Sequence, residues 1–186
     1  AVKYSKNQRI GVIGTAATIR SNSYNKEIQV LAPEAQIITQ ACPLFVPLVE
    51  EGWTDDETTY LIAKRYLQGL RQNKIDTLIL GCTHYPLLKN AIQKTVGLNV
   101  KLIDSGVETA SAVEQILNKN KLLADVEQIA KNYFYLSDMP YKFQEIAERF
   151  LERSVPHVET INFENFLLGK GEQFWKKYQP AQIKNY

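Results

Sequence analysis

Short apolar runs alternate with helical periods along most of this chain, and that alternation restricts the fold more than any other feature. The runs are "RIGVIG" (9–14), "AQIITQ" (35–40), "DTLILG" (76–81), "NVKLID" (99–104) and "NYFYLS" (132–137). Within 55–72, Ile62, Tyr66 and Leu70 recur every four residues; Leu88, Ala91 and Ile92 share a face in 86–96. Ala110, Val113 and Leu117 do so in 106–119, and Phe143, Ala147, Phe150 and Leu151 in 140–152. Thr54 with Glu57, and Ser105 with Glu108, have capping-box spacing, and Pro86 suits a first helical position. Strands that are apolar almost throughout are buried on both faces. The pattern therefore predicts an α/β fold, a mainly parallel sheet flanked by helices. No internal repeat stands out. Residues 122–131 read as a connector or short helix, and the polar, partly aromatic end (166–186) as a tail docked by Phe174 and Trp175.

At 186 residues, 45% hydrophobic and 23% charged, the chain can bury a core as one large or two small domains. A net charge of +2, spread thinly, argues against nucleic-acid and anionic-membrane partners. No apolar run reaches the length of a membrane span. The start, "AVKYSKNQRI", has no apolar signal-peptide core and no initiator Met, as after processing or truncation. Cys42 and Cys82 are too few for a disulfide framework, and no Cys-x-x-Cys spacing points to zinc. A cytoplasmic setting is the simplest expectation.

Parallel sheets bind ligands beyond the carboxyl ends of their strands. The segments to inspect are therefore "GTAATIRSNSY", "ACPLFVPLVEEGW", "GCTHYP" and "DSGVET". The third crowds a thiol, a hydroxyl and an imidazole (Cys82, Thr83, His84) between a strand and a helix. An ordinary thiol, with a pKa of about 8.5, is about 3% thiolate at pH 7. A helix N-terminus adds roughly 0.3–1 kcal/mol, and a protonated His84 would add more. A thiol near neutrality can act as base and as acid. The same three residues also suit a packed cysteine, a turn former and a satisfied imidazole, and the residues alone leave both readings open. Thr15, Thr18, Ser21, Ser23 and Tyr24 could donate to a carboxylate or phosphate, or could only cap and turn; no P-loop is present. Cys42, among apolar neighbours, reads as packing. Glu50 and Glu51 read as a solvated loop end.

"GVIGTAATIRSNSY", "ACPLFVPLVEEG", "LILGCTHYPLL" and "LIDSGVETA", in this order, resemble the bacterial glutamate racemases from about Arg9 to Leu151. "GCTHYPLL" is specific, because the related aspartate racemases usually carry Glu where His84 stands. The resemblance implies a cofactor-independent isomerase that interconverts L- and D-glutamate and supplies D-glutamate for peptidoglycan. Two cysteines there flank the substrate Cα, one removing the proton and the other returning one. Cys82 matches the second cysteine, Thr83 a substrate-binding residue, and His84 a substrate-binding assistant that orients or protonates near that thiol. Thr18 and Thr15 match the hydroxyl-rich substrate loop, and Glu50 an auxiliary acid. Glutamate is then the small-molecule partner, with no nucleic acid, membrane or metal, and pairing as a homodimer is left open.

The chain departs from the family pattern in one large respect. The family's opening Asp-Ser-Gly-x-Gly-Gly, its Pro-Tyr-Gly loop and its Cys-Asn-Thr with the first catalytic cysteine are not found. "DSGVET" matches a later segment, and Cys42 a structural position. The resemblance thus implies the last two-thirds of a two-domain enzyme. Residues 8–105 would be the complete domain carrying Cys82. Residues 106–165 would return to the other domain and expose apolar side chains such as Phe143, Phe150 and Leu151, and 166–186 would be the tail. Such a chain alone is expected to be inactive. Two rivals remain: a cysteine-nucleophile hydrolase using Cys82 and His84, which lacks an identifiable orienting acid or amide, and a non-catalytic fragment that binds an acidic ligand or a protein.

Overall fold

The computed structural model describes residues 1–124, 132–137, 143–155 and 158–161. These fall into two compact units, one ending in the segment after Ala124 and one beginning before Asn132.

The first unit is built on four strands: β1 (Arg9–Gly14), β2 (Gln36–Ala41), β3 (Thr77–Gly81) and β4 (Lys101–Asp104). They run parallel in the order β2-β1-β3-β4. The two central strands are almost wholly buried, which is why their sequences are apolar without a break. Alternate residues serve opposite faces. Ile13, Leu78 and Leu80 pack in one cluster with Phe45, Leu67, Tyr85 and Ile92. Ile10, Val12, Ile79 and Ile103 pack in the other with Ile28.

Parallel neighbours need crossovers, and helices supply them. β1 leads to β2 through α1 (Ala16–Ser21) and α2 (Ser23–Leu31). β2 leads to β3 through α3 (Phe45–Glu50) and α4 (Glu57–Gln72). β3 leads to β4 through a 3-10 turn, Tyr85–Leu88, and α5 (Lys89–Val96). α6 (Ser105–Lys119) follows β4.

Several sequence expectations are corrected here. Residues 15–24 and 42–52, read as loops, contain α1, the start of α2, and α3. Pro43 and Pro47 disguised α3; Pro47 stands in its first turn, where the missing N–H has no partner to lose. Neither capping box forms. α4 is capped by Asp56, whose carboxylate accepts from Thr58 N–H at 2.7 Å. α6 is capped by Asp104, which accepts from Gly106 and Val107 N–H, while Ser105 lies inside the helix and donates to the Leu80 carbonyl at 3.4 Å. In both cases the last extended residue before the helix is an aspartate, and its short carboxylate reaches the free N–H groups first. The buried stripe of α4 is Thr59, Ala63, Leu67 and Leu70, with Ile62 and Tyr66 at its margin. α6 packs against β3 and β4 yet buries no residue fully: Val113 and Ile116 are 47% and 59% exposed.

The second unit holds β5 (Phe134–Leu136), α7 (Phe143–Leu151) and β6 (Val158–Thr160). β5 and β6 pair in parallel as a separate two-stranded sheet, so the run 132–137 does not extend the first one. Ala147 and Val155 are buried; Phe150 and Leu151 are exposed and Phe143 is half-buried, its ring 6.5 Å from that of Phe134. His157, the tail with Phe174 and Trp175, and most of the 122–131 connector lie outside the described residues.

Candidate active site

The carboxyl ends of β1, β2 and β3 meet at one rim, in the register Gly14 to Ala41 and Gly14 to Gly81. Both glycines are there for close approach. A methyl group on Gly81 would lie 2.7 Å from the Ile13 carbonyl oxygen and 3.1 Å from the Tyr24 ring. One on Gly14 would lie 2.9 Å from the Thr18 methyl group and 3.3 Å from the Gly81 carbonyl oxygen. Thr18 is thereby seated directly on the end of β1, beside the end of β3.

Beyond Gly81 the chain turns. Cys82, Thr83 and His84 span the gap to the 3-10 turn, which closes with Tyr85 N–H on the Cys82 carbonyl (3.2 Å) and Leu87 N–H on that of His84 (3.2 Å). Cys82 is half-buried against the core, and its thiol is not in a disulfide. His84 lies between two partners. Its Nδ1 is 3.4 Å from Thr83 Oγ1, and its Nε2 is 3.7 Å from Glu50 Oε1 at the end of α3. Glu50, read from its neighbours as a solvated loop end and from the resemblance as an auxiliary acid, faces the imidazole while its side chain stays 45% exposed.

Thr15 and Thr18 sit on the neighbouring strand end. Thr15 caps α1, its Oγ1 accepting from Thr18 N–H at 3.2 Å, and the two hydroxyl oxygens are 3.0 Å apart. Strand end and cap together present a hydroxyl pair at the same rim as Cys82.

Cys42 is different. It is fully buried at the end of β2, its thiol directed to the Gln40 carbonyl at 3.7 Å. Burial pushes that thiol well above its ordinary range, so it cannot supply a thiolate at neutral pH.

Two residues of the site went unnoticed in the sequence. Tyr85 is fully buried, and its hydroxyl donates to the Cys42 carbonyl at 2.9 Å. Burial, then the thiols of Cys42 and Cys82, then Tyr66, raise its phenol far above the usual range, so it stays a donor. The only local signal was an aromatic next to a polar triplet. Asp104 caps α6 and holds Lys89 Nζ at 2.6 Å, tying the start of α5 to the end of β4. An Asp between a strand and a helix was its signal.

Among the described residues no group of three or more His, Cys, Asp or Glu side chains could hold a metal ion, and no helix is long and apolar enough to cross a membrane.

The chain is similar in sequence and in fold to known proteins. The chain is 47% identical to a glutamate racemase of Geobacter metallireducens over 164 residues, 88% of this chain and 61% of that protein. It is 48% identical to one of Syntrophus aciditrophicus over 162 residues, 87% of this chain and 60% of that protein. A glutamate racemase isoform from Bacillus anthracis has a similar structure, with a TM-score of 0.80 at 38% identity, over 87% of this chain and 60% of that one. So does the enzyme from Francisella tularensis in complex with D-glutamate, with a TM-score of 0.77 at 37% identity, over 85% and 59%. The chain thus spans about 60% of the length of the curated relatives it matches. The profile of the family described as "Asp/Glu/Hydantoin racemase" matches residues 1–113, the stretch that builds the parallel sheet and its rim, and the chain belongs to that family.

Proposed function

We propose that this chain carries one acid–base half of a glutamate racemase site. The observation that supports this most is the turn after β3, where Cys82 and Thr83 stand beside a His84 that faces Glu50. Cys82 is the group that removes the Cα proton from one enantiomer and returns a proton to the other. His84, held between Thr83 and Glu50, assists that thiol from the same turn. Thr83, with Thr18 and Thr15 on the next strand end, binds the substrate's carboxylates through hydroxyl and N–H donors. Relatives named glutamate racemase, one of them solved with D-glutamate, support glutamate as that substrate.

Inversion needs an acid on the opposite face of Cα. Cys42 is the only other thiol, and it is buried and hard to ionise. In this reading residues 8–105 are the complete domain that bears Cys82, residues 106–165 return to a second domain, and 166–186 form a tail. The 186-residue chain by itself then shows no appreciable racemisation, since one positioned acid or base is worth about 10²–10⁴-fold. The whole enzyme would work without a cofactor, in the cytoplasm, supplying D-glutamate for peptidoglycan, and homodimer formation belongs to the same proposal.

The test is exchange of the Cα proton of glutamate with solvent deuterium. A Cα exchanged by an assembled two-domain enzyme, and lost in Cys82→Ser while glutamate still binds, supports the reading. A covalent acyl-enzyme on Cys82 would instead identify a cysteine hydrolase. Full exchange by Cys82→Ser removes the thiol from the chemistry.

A further inference from the structure

Four side chains of the proposed site come from two separate places. Cys82, Thr83 and His84 belong to the turn after β3, whereas Glu50 ends α3, which follows β2. β2 and β3 are not neighbours in the sheet; β1 lies between them. Sheet hydrogen bonds therefore do not set the distance from Glu50 to His84.

Tyr85 spans this gap. Its backbone N–H closes the 82–85 turn on the Cys82 carbonyl at 3.2 Å. Its hydroxyl crosses to the far side and donates to the Cys42 carbonyl at 2.9 Å, where β2 gives way to α3. Its ring meets Phe45, the first residue of α3, edge-on, with centroids 5.2 Å apart and planes at 85°. Phe45 meets Tyr66 of α4 in the same way at 5.4 Å, and the Tyr66 hydroxyl accepts from Leu44 N–H at 3.3 Å. Turn, strand end and helix are thus joined by a side chain that is fully buried.

We infer that Tyr85 is a positioning residue for the proposed site: through its hydroxyl on Cys42 and its ring on Phe45 it sets the β3 turn against α3, so that His84 faces Glu50. The inference rests on the reading that Cys82, Thr83, His84 and Glu50 act as one unit. The phenol is suited to this because a buried hydroxyl with one fixed acceptor holds a direction that an apolar contact does not. Phenylalanine keeps the ring, removes the donor, and leaves the buried Cys42 carbonyl without it.

The test reads the His84–Glu50 contact itself and needs no turnover. The His84 ring C–H resonance is followed by NMR in the 186-residue chain near the ordinary imidazole pKa of about 6.5, with His157→Gln separating the second imidazole. Glu50→Gln defines how far the resonance moves when the carboxylate's charge is lost. In Tyr85→Phe it is expected to move in the same direction, with the circular dichroism of the fold retained; a loss of stability alone does not shift the resonance of folded protein. If Tyr85→Phe does not fold, Phe45→Leu, which keeps the hydroxyl and removes the ring contact, is expected to give the same displacement. A His84 resonance unmoved, or moved the opposite way, in the folded variant overturns the inference. Cα exchange is measured separately, in an assembled two-domain enzyme, because the 186-residue chain by itself is expected to show none. Absent exchange with a displaced resonance refutes the racemase reading and leaves the positioning intact, and normal exchange with an unmoved resonance does the reverse.

Discussion

Cys42 and Cys82 each follow a strand of the same sheet, yet their surroundings separate them. Cys82 reaches partial exposure at the rim, while Cys42 is sealed beneath α3. Thiolate, not thiol, attacks disulfide reagents, and burial both raises the Cys42 pKa and blocks access. In native protein one thiol should therefore react with an aromatic disulfide reagent, and Cys42 should lag by at least about a hundredfold. Cys82→Ala should remove the fast phase and Cys42→Ala should leave it; a fast phase that survives Cys82→Ala would show Cys42 to be accessible. Glu50 carries a related lesson. Its sequence context, two acids at a loop end, says solvent, and only the fold turns one of them toward His84.

At the scale of elements, the rim depends on how tightly strand ends can approach. β1 and β3 come together over Gly81, where a methyl group would lie 2.7 Å from a backbone oxygen that cannot swing aside. Gly81→Ala should cost about 1–3 kcal/mol, the usual range for overpacking, read as a lowered urea midpoint. Because Cys82 is the next residue, the fast thiol phase should change rate in the same variant. An unchanged midpoint and rate would mean that the two strands separate without penalty. The helices beside the rim are short and bent by local chemistry. Asn22 adopts a left-handed conformation, φ 56°, that ends α1 and starts α2. That bend lets Ile19, Tyr24 and Ile28 all reach the second core cluster.

Across the molecule, two carboxylates hold separate segments to the sheet. Asp76 accepts from Ser5 Oγ, Lys6 N–H, Asn7 N–H and Thr77 Oγ1, pinning the start of the chain beneath β3. Asp104 joins Lys89 and caps α6. Burial alone would push both carboxyls up. For Asp76 the hydrogen bonds from Ser5, Asn7, Lys6 and Thr77 outweigh it, and for Asp104 the bond and charge of Lys89 with the Gly106 and Val107 N–H groups do, so both lie below the ordinary value. A carboxyl lowered in the folded state contributes stability above its unfolded pKa, about 3.9, and loses it as pH falls through the folded value. The thermal midpoint should therefore hold steady from neutrality to about pH 5 and then decline through and below about pH 4. Asp76→Asn and Asp104→Asn should each be less stable at pH 7 and decline less steeply in acid. A parallel decline in variant and parent would show that these two carboxyls do not carry the acid transition.

Strand positions, the parallel sheet and the rim bearing Cys82, Thr83 and His84 were legible in the residues, because a doubly buried strand must be apolar throughout and a parallel strand must end where its crossover begins. The resemblance of four ordered segments already pointed to the family that the match over residues 1–113 establishes. The helices after β1 and β2 were not legible, since prolines, hydroxyls and one left-handed Asn resemble loop chemistry until a core faces them. The true helix caps were missed for a similar reason: several acids and hydroxyls compete for the same free N–H groups, and the backbone path decides which arrives. Only the tertiary structure brings Glu50 to His84 and Tyr85 to Cys42. These pairs are 34 and 43 residues apart in sequence, in segments that follow β2 and β3, two strands that β1 separates. Local periodicity reports which face a side chain takes; which distant side chain meets it there is set by the packing of helices on the sheet.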